Sequence, residues 1–459
     1  MNMLRSDVAS LGSLLGGAGD RGILHGEGAS LSWSDLRAGT IFSGMGRKCD
    51  GGSVLIAVSS QFTAAATLVE LDGVARRMIL YPPDLSLDHL DFVLACGDVD
   101  TVVSDRVSTL PAGITYIQPG EWTKTAGSKT AIDPYETEWV LLTSGTTGRP
   151  KLVAHTLASL TGAIGDRRSQ PGAVVWSTFY DIRRYGGLQI FLRAVVTGSS
   201  LVLSSAQEST ADFLARAGAR GVTHISGTPS HWRRALMSAA THLIAPEYVR
   251  LSGEIADQAI LNQLRLAYPQ AKMGHAFATT EAGVAFVVND ELAGFPTSVV
   301  TETPGVEMKV EDGTLRIRSA RTARCYLGGQ LVLRDEDGFV NTGDVVELRE
   351  DRYHFVGRAD GMINVGGMKV FPEEVEAVIN GHPRVEMSLV RTRKNPITGA
   401  LVVADVVLKS DAEAASNEIR MDILRHCRET LSAYKVPATI NFVASLAVAE
   451  TGKLIRPHA

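Results

Sequence analysis

Between Leu141 and Lys151 the chain reads Leu-Leu-Thr-Ser-Gly-Thr-Thr-Gly-Arg-Pro-Lys. Gly145 and Gly148 let the backbone approach an anion closely, and the amides beside them are able to point inward as a nest. Thr143, Ser144, Thr146 and Thr147 add hydroxyl donors, and Lys151 adds a positive charge. That set suits a run of phosphates. The spacing is not that of a Walker A loop, because no Gly-Lys-Ser/Thr occupies the required place. A plain surface turn seldom concentrates four hydroxyls, two glycines and a lysine in so short a run.

More residues with chemical potential follow in order. Thr280 and Glu281 lie within Gly274-His-Ala-Phe-Ala-Thr-Thr-Glu-Ala-Gly283, Asp344 ends Asn341-Thr-Gly-Asp344, and Lys453 ends Thr451-Gly-Lys453. Taken singly, Asp344 reads as a turn aspartate, Lys453 as a solvated tail lysine and Glu281 as a carboxylate at a helix start. A further charged run, Phe179-Tyr-Asp181-Ile-Arg183-Arg184-Tyr185-Gly-Gly187, follows an apolar segment. Arg183 suits a carboxylate or an acidic substituent of a ligand. A structural ion pair between Asp181 and Arg183 is an equal alternative.

These residues need elements to hold them. Val54–Val58, Met78–Tyr81, Thr101–Val103, Trp139–Leu142, Val174–Trp176 and Leu201–Leu203 read as buried strands. Helical stretches such as 62–71 and 88–96 lie between them, and a helix pattern resumes near His155. Such alternation predicts mostly parallel sheets covered by helices. After about residue 289 the pattern changes to short strands at 306–310, 314–318, 330–333, 345–348 and 353–356. Asp312-Gly313 and Asp337-Gly338 supply hairpin turns there. This predicts a small antiparallel, barrel-like section. From Arg358 onward a strand at 368–370, a helix opening at Pro372-Glu373-Glu374, a strand at 402–408 and a helix at 418–431 make a compact α+β unit. The expected fold is therefore α/β: a large domain over residues 1–357 and a small one over 358–459.

Composition narrows the field further. The 459 residues carry 45 Lys+Arg against 50 Asp+Glu, a net charge of −5, which gives no basic face for nucleic acid. Cys49, Cys96, Cys325 and Cys427 never form a Cys-x-x-Cys pair, and no His-Glu-x-x-His spacing occurs. Met1–Gly22 makes a poor signal peptide, and no uncharged apolar run approaches the roughly twenty residues of a membrane helix. The expectation is a cytoplasmic protein with reduced thiols and no membrane span.

Thr143–Lys151 resembles the phosphate loop of the acyl-adenylate-forming enzymes: acyl-CoA synthetases, peptide-synthetase adenylation domains and luciferases. The 274–283 segment resembles their aromatic-Gly-x-Thr-Glu segment, with Ala278 in place of the usual Gly. Asn341–Asp344 resembles their Thr-Gly-Asp. Val356-Gly-Arg358-Ala-Asp360 and Asn364-Val-Gly-Gly367 resemble the segment joining their two domains, and Thr451-Gly-Lys453 their Ser-Gly-Lys.

The resemblance implies an ATP-dependent ligase that activates a small carboxylic acid as an acyl-adenylate. The acyl group would then pass to coenzyme A, or to the phosphopantetheine of a separate carrier protein. A non-catalytic nucleotide- or acyl-binding homologue is the further alternative. Lys453, Thr280 and Glu281 would act on the reacting groups, with Glu281 holding Mg²⁺. ATP would meet Thr143, Ser144, Gly145, Thr146, Thr147, Gly148 and Lys151. Phe277 would stack on adenine near Gly253, Glu254, His275 and Ala276, while Asp344 and Arg358 take the ribose. Asp360 would be the hinge, with Gly367 and Lys369 on the thiol side. Asp181, Arg183 and Tyr185 would line the acid pocket. The family often carries a histidine in that run, which this chain lacks. Asp181 is similar to the aspartate that anchors the substrate ammonium in peptide-synthetase domains.

Overall fold

The computed structural model describes residues 10–17, 22–125, 135–143, 148–165, 174–329, 331–395, 399–409, 417–449 and 453–456. Ser144, Gly145, Thr146 and Thr147 lie outside the described residues, as do Thr451 and Gly452.

Two large sheets build the first part of the chain. One has seven strands in the order Cys325–Tyr326, Lys151–His155, Glu138–Thr143, Arg77–Leu80, Ser53–Ala57, Thr101–Ser104 and Thr115–Ile117. Its central strand Ser53–Ala57 is buried at every residue, as a parallel strand covered on both faces must be. The other has eight strands in the order Gly283–Val288, Lys272–Thr279, Tyr248–Ser252, His224–Gly227, Val175–Thr178, Ser200–Val202, Ile23–His25 and Ser30–Ser32. Helices Gln61–Leu71 and Tyr185–Thr197 contribute to the largest apolar cluster, which joins residues of both sheets. Side chains alternate along Tyr248–Ser252. Val249 and Leu251 enter a second cluster, with helices Thr210–Ala219, Pro229–Leu236 and Gln258–Ala267. Tyr248 packs on the first cluster, and Arg250 shares its face by the period of two.

The antiparallel section is a five-stranded sheet ordered Phe295–Pro296, Arg352–Arg358, Val340–Arg349, Thr314–Ser319 and Val306–Glu311. Residues 363–442 then close a core of their own, centred on Val370, Val375, Val390, Ile423 and Ile440. Its parts are helices Pro372–Asn380 and Asn417–Thr430 and the three-stranded sheet Val385–Asn395, Gly399–Leu408 and Thr439–Phe442. Pro372 occupies the first turn of its helix with Glu373 and Glu374 beside it, as the sequence predicts. The architecture is the expected α/β one with a half-barrel section and a small α+β unit.

One expectation needs correction, and one strand was not read from the sequence. A helix does follow near His155, beginning at Leu157, but Lys151–His155 before it is a strand that pairs antiparallel with Glu138–Thr143. The alternation Lys-Leu-Val-Ala-His is short and β-branched only at Val153, so the strand is decided by its pairing rather than by its own pattern. Residues 331–333 form no strand. Cys325–Tyr326 pairs instead with Lys151–His155 and ties the later section to the seven-stranded sheet.

Candidate active site

Strands Lys272–Thr279 and Val340–Arg349 each carry a register irregularity beside the residues singled out above. One lies between Phe277 and Ala278, just before Thr280-Glu281; the other lies between Val345 and Val346, just after Asp344. Irregularities of this kind end regular pairing and re-aim side chains.

Asp344 is the clearest case. Its side chain is 19% exposed, and Oδ2 is buried with no hydrogen-bond partner among the described residues. Oδ1 lies 3.8 Å from Nη1 of Arg358. Burial raises the carboxyl to about 6, although Arg358 and Lys453 both pull it down. Arg358 is held in turn by Asp360, with Nε to Oδ1 at 3.0 Å and Nη2 to Oδ2 at 3.2 Å, and Nη1 donates to the Thr342 carbonyl at 3.2 Å. Gly343 between them has φ +73°, and a Cβ there would sit 3.2 Å from Nη2 of Arg358, so this turn requires glycine. A buried carboxylate with an unused oxygen fits a ligand that donates two hydroxyls.

Glu281 lies nearby. Its Oε1 accepts the Tyr326 hydroxyl at 3.2 Å, and Nζ of Lys151 lies 5.6 Å from the centre of the Tyr326 ring. Lys151 also acts on Asp360, and Glu281 acts on Arg358. Thr143, at the end of an interior strand of the same sheet, presents a buried hydroxyl without a partner among the described residues, and Gly148 has open space around it. His155 is fully buried, and its Nε2 bonds to the carbonyl of Thr280 at 2.7 Å. Burial lowers its pKa to about 4, so the ring is neutral and serves to position the Thr280 turn.

Among the described residues no three carboxylate, histidine or cysteine side chains cluster to hold a metal. Glu281, with one oxygen used by Tyr326, still fits Mg²⁺, which is commonly held by one or two carboxylates together with substrate phosphates.

The C-terminal unit reaches into this region. Lys453 is exposed, and its Cε would lie 3.8 Å from a Cβ on Gly253, which has φ +83°. The Tyr180 hydroxyl converges on the same point at 3.8 Å and the Thr228 methyl at 3.7 Å. Glu254 accepts from the Ser230 amide at 2.9 Å and its hydroxyl at 3.0 Å, and from the Leu454 amide at 3.2 Å. Its carboxylate therefore joins the first turn of helix Pro229–Leu236 to the residue after Lys453. Arg456 grips Glu376 through two bonds of 2.7 and 2.8 Å, which fixes the same tail to the small unit. Arg233, paired with Asp257 at 2.6 Å, donates to the Glu386 carbonyl at 3.2 Å and adds a second contact between the two parts.

Other expected residues are placed as follows. The Phe277 ring lies near-parallel to Phe355 at 4.8 Å and Phe286 at 5.6 Å. Ala276 is buried, and Nε2 of His275 bonds to the Leu292 carbonyl at 2.9 Å. Gly367 and Lys369 stand on the exposed hairpin Ile363–Val365/Met368–Val370. Arg183 is 1% exposed and spends its donors on Asp181 (Nε to Oδ1 at 2.7 Å, and Nη2 to Oδ2) and on the carbonyls of Val58 and Ser59. The ion-pair alternative is the one this geometry supports. Tyr185 is buried beside His155.

Two residues were missed from the sequence. Tyr180 sits inside the run already noted, and its hydroxyl donates to the Ser252 carbonyl at 2.6 Å beside Gly253. Arg250 lies three residues before Gly253 and is 8% exposed. The signal for Arg250 was a cation inside the apolar strand Tyr-Val-Arg-Leu-Ser.

Comparison with known proteins bears on this site directly. The family model described as AMP-binding enzyme matches residues 52–335, and the one described as AMP-binding enzyme C-terminal domain matches residues 374–453. The chain is 25% identical to the probable CoA ligase CCL9 of Humulus lupulus over 88% of this chain and 81% of that one. It is 27% identical to the 2-succinylbenzoate–CoA ligase of Salmonella typhimurium over 89% of this chain and 87% of that one. The crystal structure of the anthranilate CoA ligase AuaEII in complex with anthranoyl-AMP superposes with a TM-score of 0.78 at 17% identity, covering 97% of this chain and 96% of that one. Residues 141–151, the Thr280-Glu281 turn and Lys453 thus fall within the matched residues, Asp344 lies between the two matches, and the chain belongs to the AMP-binding, adenylate-forming enzyme family.

Proposed function

We propose that the chain is an AMP-forming carboxylic acid–thiol ligase that makes an acyl-adenylate and passes the acyl group to coenzyme A. The observation that carries this reading is the approach of Lys453 to Gly253 beside the buried, half-used carboxylate of Asp344. The acid's carboxylate oxygen attacks the α-phosphorus of ATP, the bond to the β-phosphate oxygen breaks, and pyrophosphate leaves with that electron pair. Negative charge crowds one centre, so catalysis is positioning and cationic stabilisation. Lys453 neutralises the carboxylate and α-phosphate oxygens, and Thr280 donates to the latter. Asp344 accepts the two ribose hydroxyls, with Arg358 beside it. Thr143, Gly148 and Lys151 face the phosphates. Mg²⁺, when bound, neutralises phosphate charge, and Glu281 is the residue to hold it.

In the second half-reaction a thiolate attacks the carbonyl carbon and AMP departs. Lys453 stands on the small unit, so a rotation near Asp360 withdraws it and brings the hairpin of Gly367 and Lys369 toward the thiol path. The large domain then comprises residues 1–357 and the mobile one 358–459. The two CoA-ligase relatives support coenzyme A as acceptor over a carrier-bound phosphopantetheine.

Acid-dependent exchange of labelled pyrophosphate into ATP tests the first half. Exchange with at least one acid of a panel of fatty, aryl and amino acids is expected. Tight ATP binding with no exchange across that panel overturns the ligase and leaves a nucleotide-binding homologue.

A further inference from the structure

Arg250 occupies the middle of strand Tyr248–Ser252, between Ser226 and Gly274 of the neighbouring strands, and is 8% exposed. Its backbone joins the ladder on both sides, but among the described residues its side chain has no hydrogen bond and no carboxylate within ion-pair distance. A second arginine lies close by. Arg193 on helix Tyr185–Thr197 rests over the Trp176 ring at 5.7 Å, and its Nε is buried without a partner. Burial and the field of Arg250 hold the Arg193 pKa down to about 10. Two neighbouring guanidinium groups, each without a carboxylate, are an expensive arrangement. A buried unpaired charge costs several kcal/mol, and like charges add to that cost. Arg183, just before the helix that carries Arg193, shows how this fold satisfies a buried arginine when it is structural.

The surroundings say where Arg250 points. Its charge acts on the hydroxyls of both Tyr180 and Tyr185. The Tyr180 hydroxyl and Lys453 Cε each lie 3.8 Å from where a Cβ on Gly253 would sit, and Arg250 and Ser252 share one face of the strand by the period of two. Two residues along a strand span about 7 Å. Arg250 thus stands one short substrate length behind the place where the reacting carboxylate would meet Lys453.

We infer that the acid this chain activates carries a second anionic group, received by Arg250 at the closed end of the acyl pocket with Arg193 behind it. The inference rests on the ligase reading and deepens it by naming the substrate class. A charged end group in a dry pocket is held by charge-assisted, bidentate bonds, and a site built for it rejects the analogue that lacks it.

The test compares α,ω-diacids from succinate to suberate with the matching monoacids, and phenylalkanoic acids with and without a ring carboxylate. Pyrophosphate exchange and calorimetric binding are measured on the full chain and on Arg250→Met and Arg250→Lys. The expected result is a kcat/KM at least about tenfold higher for the best diacid than for its monoacid. Arg250→Met should erase that preference while monoacids change by less than about threefold, and Arg250→Lys should retain part of it. The Tm of Arg250→Met should stay level or rise, because no structural bond is lost. Equal use of monoacids and diacids by the unaltered chain overturns the inference and leaves the ligase standing. So does a large fall in Tm for Arg250→Met with loss of activity toward both classes. If no acid supports exchange, the ligase reading fails; diacid binding that depends on Arg250 then still upholds the anion site, and its absence overturns that too.

Discussion

The two ends of the site are built on different terms. At the nucleotide end Asp344, Arg358 and Asp360 form a chain of partial contacts, with separations of 3.0 to 3.8 Å, and a buried Asp344 oxygen is left over for hydroxyl groups. At the proposed acyl end one arginine, Arg183, is saturated by Asp181 and two carbonyls, while the side chain of another, Arg250, has no partner among the described residues. The nucleotide end serves chemistry that any such ligase needs, so its residues recur at recognisable spacings. The acyl end serves one substrate class. Its residues therefore follow no shared motif, and only their surroundings tell a structural cation from a binding one.

The largest expected effect is at the junction of the two ends. Lys453→Ala should lower pyrophosphate exchange by about 100- to 1000-fold. Thioester formation from a supplied acyl-adenylate should change by no more than a few-fold, and normal exchange would remove Lys453 from its role. Next is the contrast between the arginines. Arg183→Met strands the Asp181 carboxylate and should cost about 3–5 kcal/mol, read as a lower urea midpoint or insoluble protein. A stable Arg183→Met that loses only acid binding would assign Arg183 to the substrate and break the contrast.

Asp344→Asn sharpens the nucleotide side, with a rise of roughly tenfold or more in the KM for ATP. Burial raises the folded carboxyl to about 6 against an ordinary value of 3.8. Between those values the folded chain binds more protons than the unfolded one, so stability falls as pH rises through the window. Without nucleotide the Asn variant should therefore be the more stable near neutral pH, by on the order of 2 kcal/mol. That gain should vanish at pH values below the ordinary carboxyl range. Thermal melts across pH check it, and a variant less stable at neutral pH contradicts it. The smallest effect belongs to Glu254→Gln, which weakens the link between Ser230 and the Leu454 amide. Exchange should drop about three- to tenfold and the second half-reaction should be spared; equal losses in both halves would deny that Glu254 docks the tail.

Most residues proposed for the nucleotide end stand in the sequence as short motifs. Thr143, Glu281, Asp344 and Lys453 sit in short segments whose types match one chemistry and whose order repeats a family pattern. Glu254 was read as an adenine-side residue. The fold turns its carboxylate onto Ser230 and Leu454, a contact across 200 residues of chain that no local pattern encodes. The strand Lys151–His155 was hidden for a similar reason, since its identity comes from pairing with Glu138–Thr143 and Cys325–Tyr326.

What the sequence by itself determined is the class of the molecule: helix-covered sheets, a separate α+β unit after Arg358, and a set of candidate anion- and hydroxyl-binding residues in family order. Apolar periodicity and residue chemistry are local properties, so they survive reading one residue at a time. Only the tertiary structure decided which of two buried arginines is spent and which is left to bind. The same holds for a tail lysine, which becomes a site residue because Arg456 and Glu254 hold it there. Burial and pairing depend on everything packed around a group, and for these residues the partners come from distant stretches of the chain.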